Sequence, residues 1–201
     1  LVNLLRQAGL DASPMLVSER RNGRVEAGYP SADQFNTVYA FLIADNKKFY
    51  LNANDKVTPP GVIPEKILNT KHLIVDRKSG GLIDVSDDIL ESREATNISV
   101  SIGNDGRLAG QVFVTSQDYA RVKRLKTYHE NKEKYLDQAF LKNTSDIRVD
   151  NFAIKNEEED SAALEQKFDF QLTVQQTGEY LFVPLNLSTG FENNPFVAAN
   201  R

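Results

Sequence analysis

A run of β-branched and aromatic residues at 35–44 places the strongest constraint on the fold. Such side chains favour an extended strand, because they pack well on a pleated surface. The polar residues 45–47 predict a turn, and residues 48–51 then return as an antiparallel partner. A second strand pair is predicted downstream, where 97–102 alternates polar and apolar residues before the turn signal NDG and the run 108–115. Antiparallel hairpins are therefore expected in both halves of the chain.

Further strands are predicted at 14–18 and 73–76, and in the second half at 147–154, 164–174 and 180–185. Helical patterns are fewer. Leu1, Leu4, Leu5 and Ala8 share one helical face, and Gly9 stands where a C-terminal cap belongs. The stretch 117–142 is rich in Lys, Arg and Glu and contains no proline, which predicts one long helix. A short helix is expected at 64–68.

The composition is that of a globular protein, with 40% hydrophobic and 26% charged residues. A net charge of −4 gives no global attraction to nucleic acid or to an anionic membrane. Cysteine is absent, which excludes disulfides, thiolate metal ligands and a cysteine nucleophile within these residues. No apolar run approaches the ~20 residues that span a bilayer, so we expect a soluble chain without a transmembrane segment.

Three short motifs resemble the transglutaminase-like fold, which is related to the papain-like cysteine proteases. They are LLRQAGLDASPMLVS at 4–18, FNTV at 35–38 and YLNAND at 50–55, which match that fold's helix-to-strand passage and its next two strands in order. The uncapped start at Leu1, which is not a methionine, predicts a fragment of a longer protein. The remainder, with FVPL at 182–185, is similar to the β-rich domain that commonly trails the fold in bacterial cell-envelope proteins.

The resemblance implies a catalytic cysteine, histidine and aspartate, and this chain departs from that set. The position of the histidine corresponds to Thr37 and that of the aspartate to Asn52, while the cysteine would lie upstream of Leu1. A threonine hydroxyl does not accept a proton near neutral pH, and an asparagine carries no charge to stabilise an imidazolium. We therefore predict no catalytic residues in this chain, with Thr37 and Asn52 as degenerate positions. Asp55 is a candidate substitute carboxylate, but an odd shift along a strand points to the other face.

Metal and cofactor sites are not predicted. His72 and Asp76 would share a strand face, but no third ligand is identifiable, so His72 is interpreted as a surface or edge histidine. The acidic residues at 84–88 and 157–160 do not fit a calcium-binding loop, and 157–160 is expected to be a loop between strands. Glycine-rich phosphate-binding motifs and nucleophile elbows are absent from the sequence.

Side chains in the second half offer two further candidate surfaces. The predicted helix 117–142 carries basic and aromatic side chains, but carboxylates follow at once, so its charges, including His129, are interpreted as a solvated face. The basic and aromatic side chains are Arg121, Lys123, Arg124, Lys126, Tyr119 and Tyr128, and the carboxylates are Glu130, Glu133 and Asp137. Tyr180, Phe182 and Phe191 are a candidate platform for a sugar, although a buried stripe is the commoner outcome.

These observations predict an α+β fold: a partial transglutaminase-like helix-plus-sheet fragment at 1–78, a linker at 79–95, and a β-rich, sandwich-like domain with one long helix at 96–201. The predicted function is that of a non-catalytic remnant, a pseudoenzyme, with a binding or structural module for a protein, peptide or glycan. The alternative is a cysteine-type amidohydrolase or acyltransferase whose nucleophile lies upstream. The resemblance implies an extracytoplasmic location in the periplasm or cell envelope.

Overall fold

The computed structural model describes residues 1–29, 31–76, 80–86, 90–103, 106–141, 147–178 and 180–182. The chain divides into two compact units, Leu1–Glu91 and Ser92–Arg201. The segment 79–95, predicted as a linker, contributes the last strand of the first unit and the beginning of the first strand of the second.

The described part of the first unit forms one antiparallel five-stranded sheet with the strand order β3-β2-β1-β4-β5. A short helix α1 precedes the sheet, and Gly9 follows it with a φ of 84°, as the predicted glycine cap requires. The elements are α1 (Val2–Gln7), β1 (Ala12–Val17), β2 (Thr37–Ala44), β3 (Lys47–Leu51), β4 (Thr70–Ile74) and β5 (Gly81–Val85).

The first predicted hairpin is confirmed: β2 and β3 pair from Ala40 with Leu51 to Ala44 with Lys47. Its turn residues Asp45 and Asn46 both have positive φ, 48° and 59°, which matches the right-handed twist of a two-residue hairpin. The predicted short helix at 64–68 is a single 3₁₀ turn, Glu65–Ile67.

One face of the first sheet carries the core of this unit. Strand residues of that face pack together with Ile67 and Ile63 from the loop between β3 and β4. Because side chains alternate along a strand, the pairing register decides which residues reach this face. The buried strand residues are Met15, Val17, Tyr39, Phe41, Tyr50 and Val85.

In the second unit, the described residues form an antiparallel sheet with the order β6-β7-β9-β8 and a separate two-stranded pair, β10-β11. The predicted strand pair around NDG is confirmed, as are the strands predicted near 147–154 and 164–174. Of the predicted strand 180–185, residues 183–185 lie outside the described part. The elements are β6 (Ser92–Ile102), β7 (Arg107–Gln117), α2 (Asp118–Glu130), β8 (Ile147–Lys155), β9 (Leu164–Thr173), β10 (Gln175–Thr177) and β11 (Tyr180–Phe182).

The predicted fold class is wrong, because within the described residues the chain is mostly β and its longest helix is α2, with 13 residues. The helix predicted over 117–142 ends at Glu130, where Asn131 adopts an extended backbone and its side chain accepts a hydrogen bond from the Lys134 backbone N–H. This break redirects the chain and places Tyr135 in the core, followed by a π-helical turn at Asp137–Leu141. Within the described residues, the four-stranded sheet thus packs against a helical segment and not against a second sheet as in a sandwich.

Candidate functional site

Thr37, which the sequence resemblance predicts at the position of the catalytic histidine, is the first residue of β2 and is partly buried. It pairs with Val17 of β1, and Val17 pairs in turn with His72 of β4. Directly paired residues point to the same face of an antiparallel sheet, so the three side chains form one row on the core face. Because neighbouring strands lie about 4.8 Å apart, the backbones at Thr37 and His72 are separated by roughly 10 Å.

Asn52, which the sequence resemblance predicts at the position of the aspartate, directly follows β3. Continuing the pairing of Ala40 with Leu51 places Asn52 opposite Tyr39, which makes it a diagonal neighbour of Thr37 on the same face. Its Oδ1 accepts a hydrogen bond from the Asn54 backbone N–H at 3.0 Å. Burial raises the pKa of Tyr39, and the neighbouring Asn52 side chain partly opposes that rise. The structure thus brings Thr37 and Asn52 to one face of the sheet.

Asp55, the candidate substitute carboxylate, stabilises the loop after β3. Its Oδ1 accepts hydrogen bonds from the backbone N–H groups of Val57 and Thr58, at 3.1 and 3.0 Å. Its Oδ2 accepts a hydrogen bond from the Thr58 hydroxyl at 2.7 Å. Both oxygens therefore accept bonds within a local turn, a typical use of aspartate in loops.

The interpretation of His72 as a surface or edge histidine is wrong. Its side chain is fully buried, with 0% exposure. Its Nε2 lies 3.0 Å from the Ile67 carbonyl oxygen and 2.9 Å from the Thr70 hydroxyl oxygen. A carbonyl only accepts hydrogen bonds, so this contact places the proton of the neutral imidazole on Nε2. Within the described residues Nδ1 has no hydrogen-bond partner. Burial lowers the pKa of His72, although the bond to Ile67 and the Asp84 carboxylate oppose this effect.

We expect the free energy of unfolding to fall as the pH drops below the pKa of about 6.5 that His72 has in the unfolded chain. The lowered native pKa means that the unfolded state binds the proton more readily between the two pKa values, so stability rises with pH in that window. The contribution reaches at most about 1.4 kcal/mol per pH unit. Denaturant unfolding of the wild type and of His72→Gln between pH 8 and 5 measures it.

His129→Gln is the matched control for this prediction, because His129 is the other histidine of the chain and its side chain is 42% exposed. The pH dependence should weaken in His72→Gln and remain in His129→Gln. An NMR titration of the His72 ring in the wild type gives the same answer without a variant. A His72 pKa at or above the usual value would contradict the prediction.

Arg121 and Arg124 hold the second unit together, which corrects their interpretation as members of a solvated face. Arg121 is only 3% exposed, and its Nη2 donates to the carbonyl oxygens of Asn156 and Glu157 at 3.1 and 3.2 Å. Arg124 forms a two-pronged ion pair with Glu94, with both nitrogen–oxygen distances at 2.8 Å. Both guanidinium groups bind other residues of the second unit and therefore do not form an open basic patch.

The ion pair between Arg124 and Glu94 changes a pKa. The hydrogen bond from Arg124 holds the pKa of Glu94 below the ordinary value. The Arg124 guanidinium in addition stacks over the Phe140 ring, 4.4 Å from the centroid. Planar stacking together with a forked hydrogen bond is a combination that arginine provides and lysine does not.

The remaining sequence candidates do not converge on one site. Nε2 of His129 lies 3.5 Å from Oε1 of Glu157, in the loop predicted between two strands and found between β8 and β9. Lys71 pairs with Asp84 at 2.8 Å, while positions 87–88 lie outside the described part. Tyr180 is 76% exposed, whereas the Phe182 side chain and Phe191 fall outside it. Within the described residues no three His, Asp or Glu side chains are grouped to hold a metal ion.

Comparison with known proteins identifies no relative: no family model matches the sequence, and neither a curated protein nor a solved structure is significantly similar to it. Among the helices of the described segments, none has the length and apolar character needed to cross a bilayer.

The sequence carries no local signal that marks His72, Arg121 or Tyr135 as buried. Each becomes recognisable only through the strand register or the helix break that encloses it.

Proposed function

We propose that this chain is a non-catalytic remnant of a transglutaminase-like domain, followed by a β-rich binding or structural module of a bacterial cell-envelope protein. The observation that carries the proposal is the shared face of Thr37 and Asn52, at the two positions where the resemblance expects a base and its carboxylate. Neither side chain accepts a proton near neutral pH. The shared face and the uncharged side chains both support the proposal.

The environment of His72 supports the non-catalytic proposal, because His72 is the one histidine in the sequence of the first unit. A general base must reach its substrate proton within hydrogen-bond distance. His72 lies two strands from Thr37, is fully buried, and uses Nε2 in contacts with the Ile67 carbonyl and the Thr70 hydroxyl. It does not replace an imidazole at position 37.

The proposal predicts two results. The wild type should produce no product above the uncatalysed rate when it is incubated with a glutaminyl peptide and a fluorescent primary amine, because the chain carries neither a cysteine nucleophile nor a base at position 37. In the double variant Thr37→His/Asn52→Asp, the introduced imidazole should have a pKa about one unit higher than in Thr37→His alone, since a nearby carboxylate stabilises the charged ring. NMR titration of the ring protons measures this difference.

The double variant Thr37→His/Asp55→Asn provides the control, because Asp55 is occupied in its own turn and its removal should leave the imidazole pKa close to that of the single variant. Circular dichroism confirms that each variant is folded. Equal imidazole pKa values with and without Asn52→Asp would contradict the transglutaminase-like geometry. Acyl transfer by the wild type would contradict the non-catalytic assignment.

A further inference from the structure

The edge strand β6 contains a long, exposed stretch of residues without charged side chains. It has 11 residues, and among the described strands it pairs with β7 alone. Its charged residues lie at its beginning, where Arg93 pairs with Asp118 and Glu94 with Arg124. The following residues, 95–102, carry no charge, and Val100 and Ile102 are 41% and 54% exposed. We call residues 95–102 the open edge.

The turn that joins β6 to β7 shows which backbone groups of the open edge point outward. The Gly103 N–H donates to the Arg107 carbonyl at 2.8 Å, so these two residues form a hydrogen-bonded pair. Hydrogen-bonded and non-hydrogen-bonded pairs alternate along an antiparallel ladder. The even-numbered residues Thr96, Ile98 and Val100 therefore direct their N–H and C=O groups away from β7. Their side chains lie on the face that carries Val112 and Val114.

The other edges of the two larger described sheets carry features that discourage pairing with another strand. The opposite edge of the same sheet, β8, contains a bulge between Asp150 and Ala153, and charges at Arg148 and Lys155. In the first unit, the edge strands β3 and β5 are five residues long and carry lysines or an aspartate. Natural proteins protect sheet edges with bulges, charges and short strands. The open edge of β6 has none of these features.

We propose that the open edge pairs, antiparallel and about a two-fold axis, with the open edge of a second copy of this chain. Centring the pair on Ser99 places Ile98 opposite Val100 of the second copy, and Thr96 opposite Ile102. Each facing pair then consists of β-branched side chains on the face that points to the core. Cross-strand pairs of this kind stabilise a sheet.

Self-pairing is favoured over a foreign strand because the sequence of the open edge is complementary to itself in this register. A two-fold axis makes each contact occur twice, so every outward N–H and C=O between Thr96 and Ile102 finds a partner. A register centred on Ile98 would instead place Ile102 opposite Glu94, whose carboxylate is bound by Arg124. The register centred on Ser99 avoids this contact and merges the two sheets into one.

Sedimentation equilibrium of the wild type and of two variants at one position tests the proposal. Val100→Pro removes an outward N–H without affecting the β6–β7 hydrogen bonds, whereas Val100→Thr keeps it. We expect a concentration-dependent wild-type dimer, a weakening of about tenfold or more in Val100→Pro, since two hydrogen bonds are lost, and a dimer retained in Val100→Thr. Circular dichroism checks that both variants are folded. A wild type that stays monomeric up to millimolar concentration, or a dimer that Val100→Pro does not weaken, would overturn the proposal.

A disulfide reports the register directly, because the chain contains no cysteine of its own. In the proposed pair, the two Ser99 residues face each other as a non-hydrogen-bonded pair, with Cα atoms about 4.5 Å apart. This separation fits a disulfide. Ser99→Cys should therefore form a covalent dimer on mild oxidation, while Gln171→Cys, placed inside the sheet on β9, should not. Equal cross-linking of the two variants would refute the register.

Discussion

Replacing Tyr135 by alanine is expected to lower the free energy of unfolding of the second unit by about 3–5 kcal/mol. Tyr135 is fully buried, and its ring lies 5.2 Å from that of Tyr128, 5.8 Å from Phe140 and 5.7 Å from Phe152. Removing it leaves a cavity at the centre of this aromatic cluster. Denaturant unfolding gives the change, and hydrogen exchange of β7 and β9 localises it to the second unit.

Tyr135→Phe separates packing from hydrogen bonding at the same position. The Gln166 side-chain amide donates to the Tyr135 hydroxyl at 2.6 Å, and Gln166 is itself fully buried. Its Oε1 has no hydrogen-bond partner in the described part of the chain. Without the hydroxyl, the amide loses its acceptor, which should cost about 1–3 kcal/mol. If Tyr135→Phe were as stable as the wild type, this buried bond would have no role in stability.

Replacing Arg121 by alanine should lower the free energy of unfolding of the second unit by about 2–5 kcal/mol. The Arg121 guanidinium joins α2 to the start of the loop between β8 and β9 through the carbonyls of Asn156 and Glu157. Without it, the carbonyls of these two half-buried residues lose a charge-assisted partner, and a hydrogen bond to a charged group contributes about 1.5–3 kcal/mol. Its contact with Asp160, at 3.4 Å to a side chain that is 57% exposed, adds little.

Lys123→Ala on the same helix is the matched control, because Lys123 is exposed. Its effect should stay within about 0.5 kcal/mol of the wild type. Denaturant unfolding monitored by circular dichroism compares the two variants, and proteolysis of the β8–β9 loop tests whether α2 holds it in place. Equal stability of Arg121→Ala and Lys123→Ala would show that the buried guanidinium does not anchor the loop.

Local patterns predicted the strands better than the helices of this chain. The hairpin of β2 and β3 and the pair of β6 and β7 have strong local signals, namely alternation and a turn of fixed chemistry. The helix predicted over 117–142 lacked such a signal at its end. Asn131 stops it, and the charged residues that follow resemble those of a continuing helix. The α+β assignment was wrong because it relied on this length and on the first helix, which has only six residues.

The candidate site could also be predicted only in part from the sequence. Thr37 and Asn52 can be named from short motifs, and their uncharged chemistry follows from residue type alone. Their common face depends on the register of β2 with β3, and the burial of His72 depends on β4 pairing with β1. One residue of slip in either pairing would turn these side chains to the opposite face.

By itself, the sequence determined many of the strands, the turns and the absence of a cysteine, because these depend on residue type and short-range pattern. The tertiary structure decided which side chains are buried. Arg121 came to bind two loop carbonyls and Arg124 to form an ion pair with Glu94. His72 became a core residue, and among the described strands one edge of the second sheet was left open. Burial and pairing depend on residues far apart in the chain, and their energies appear only once these residues are brought into contact.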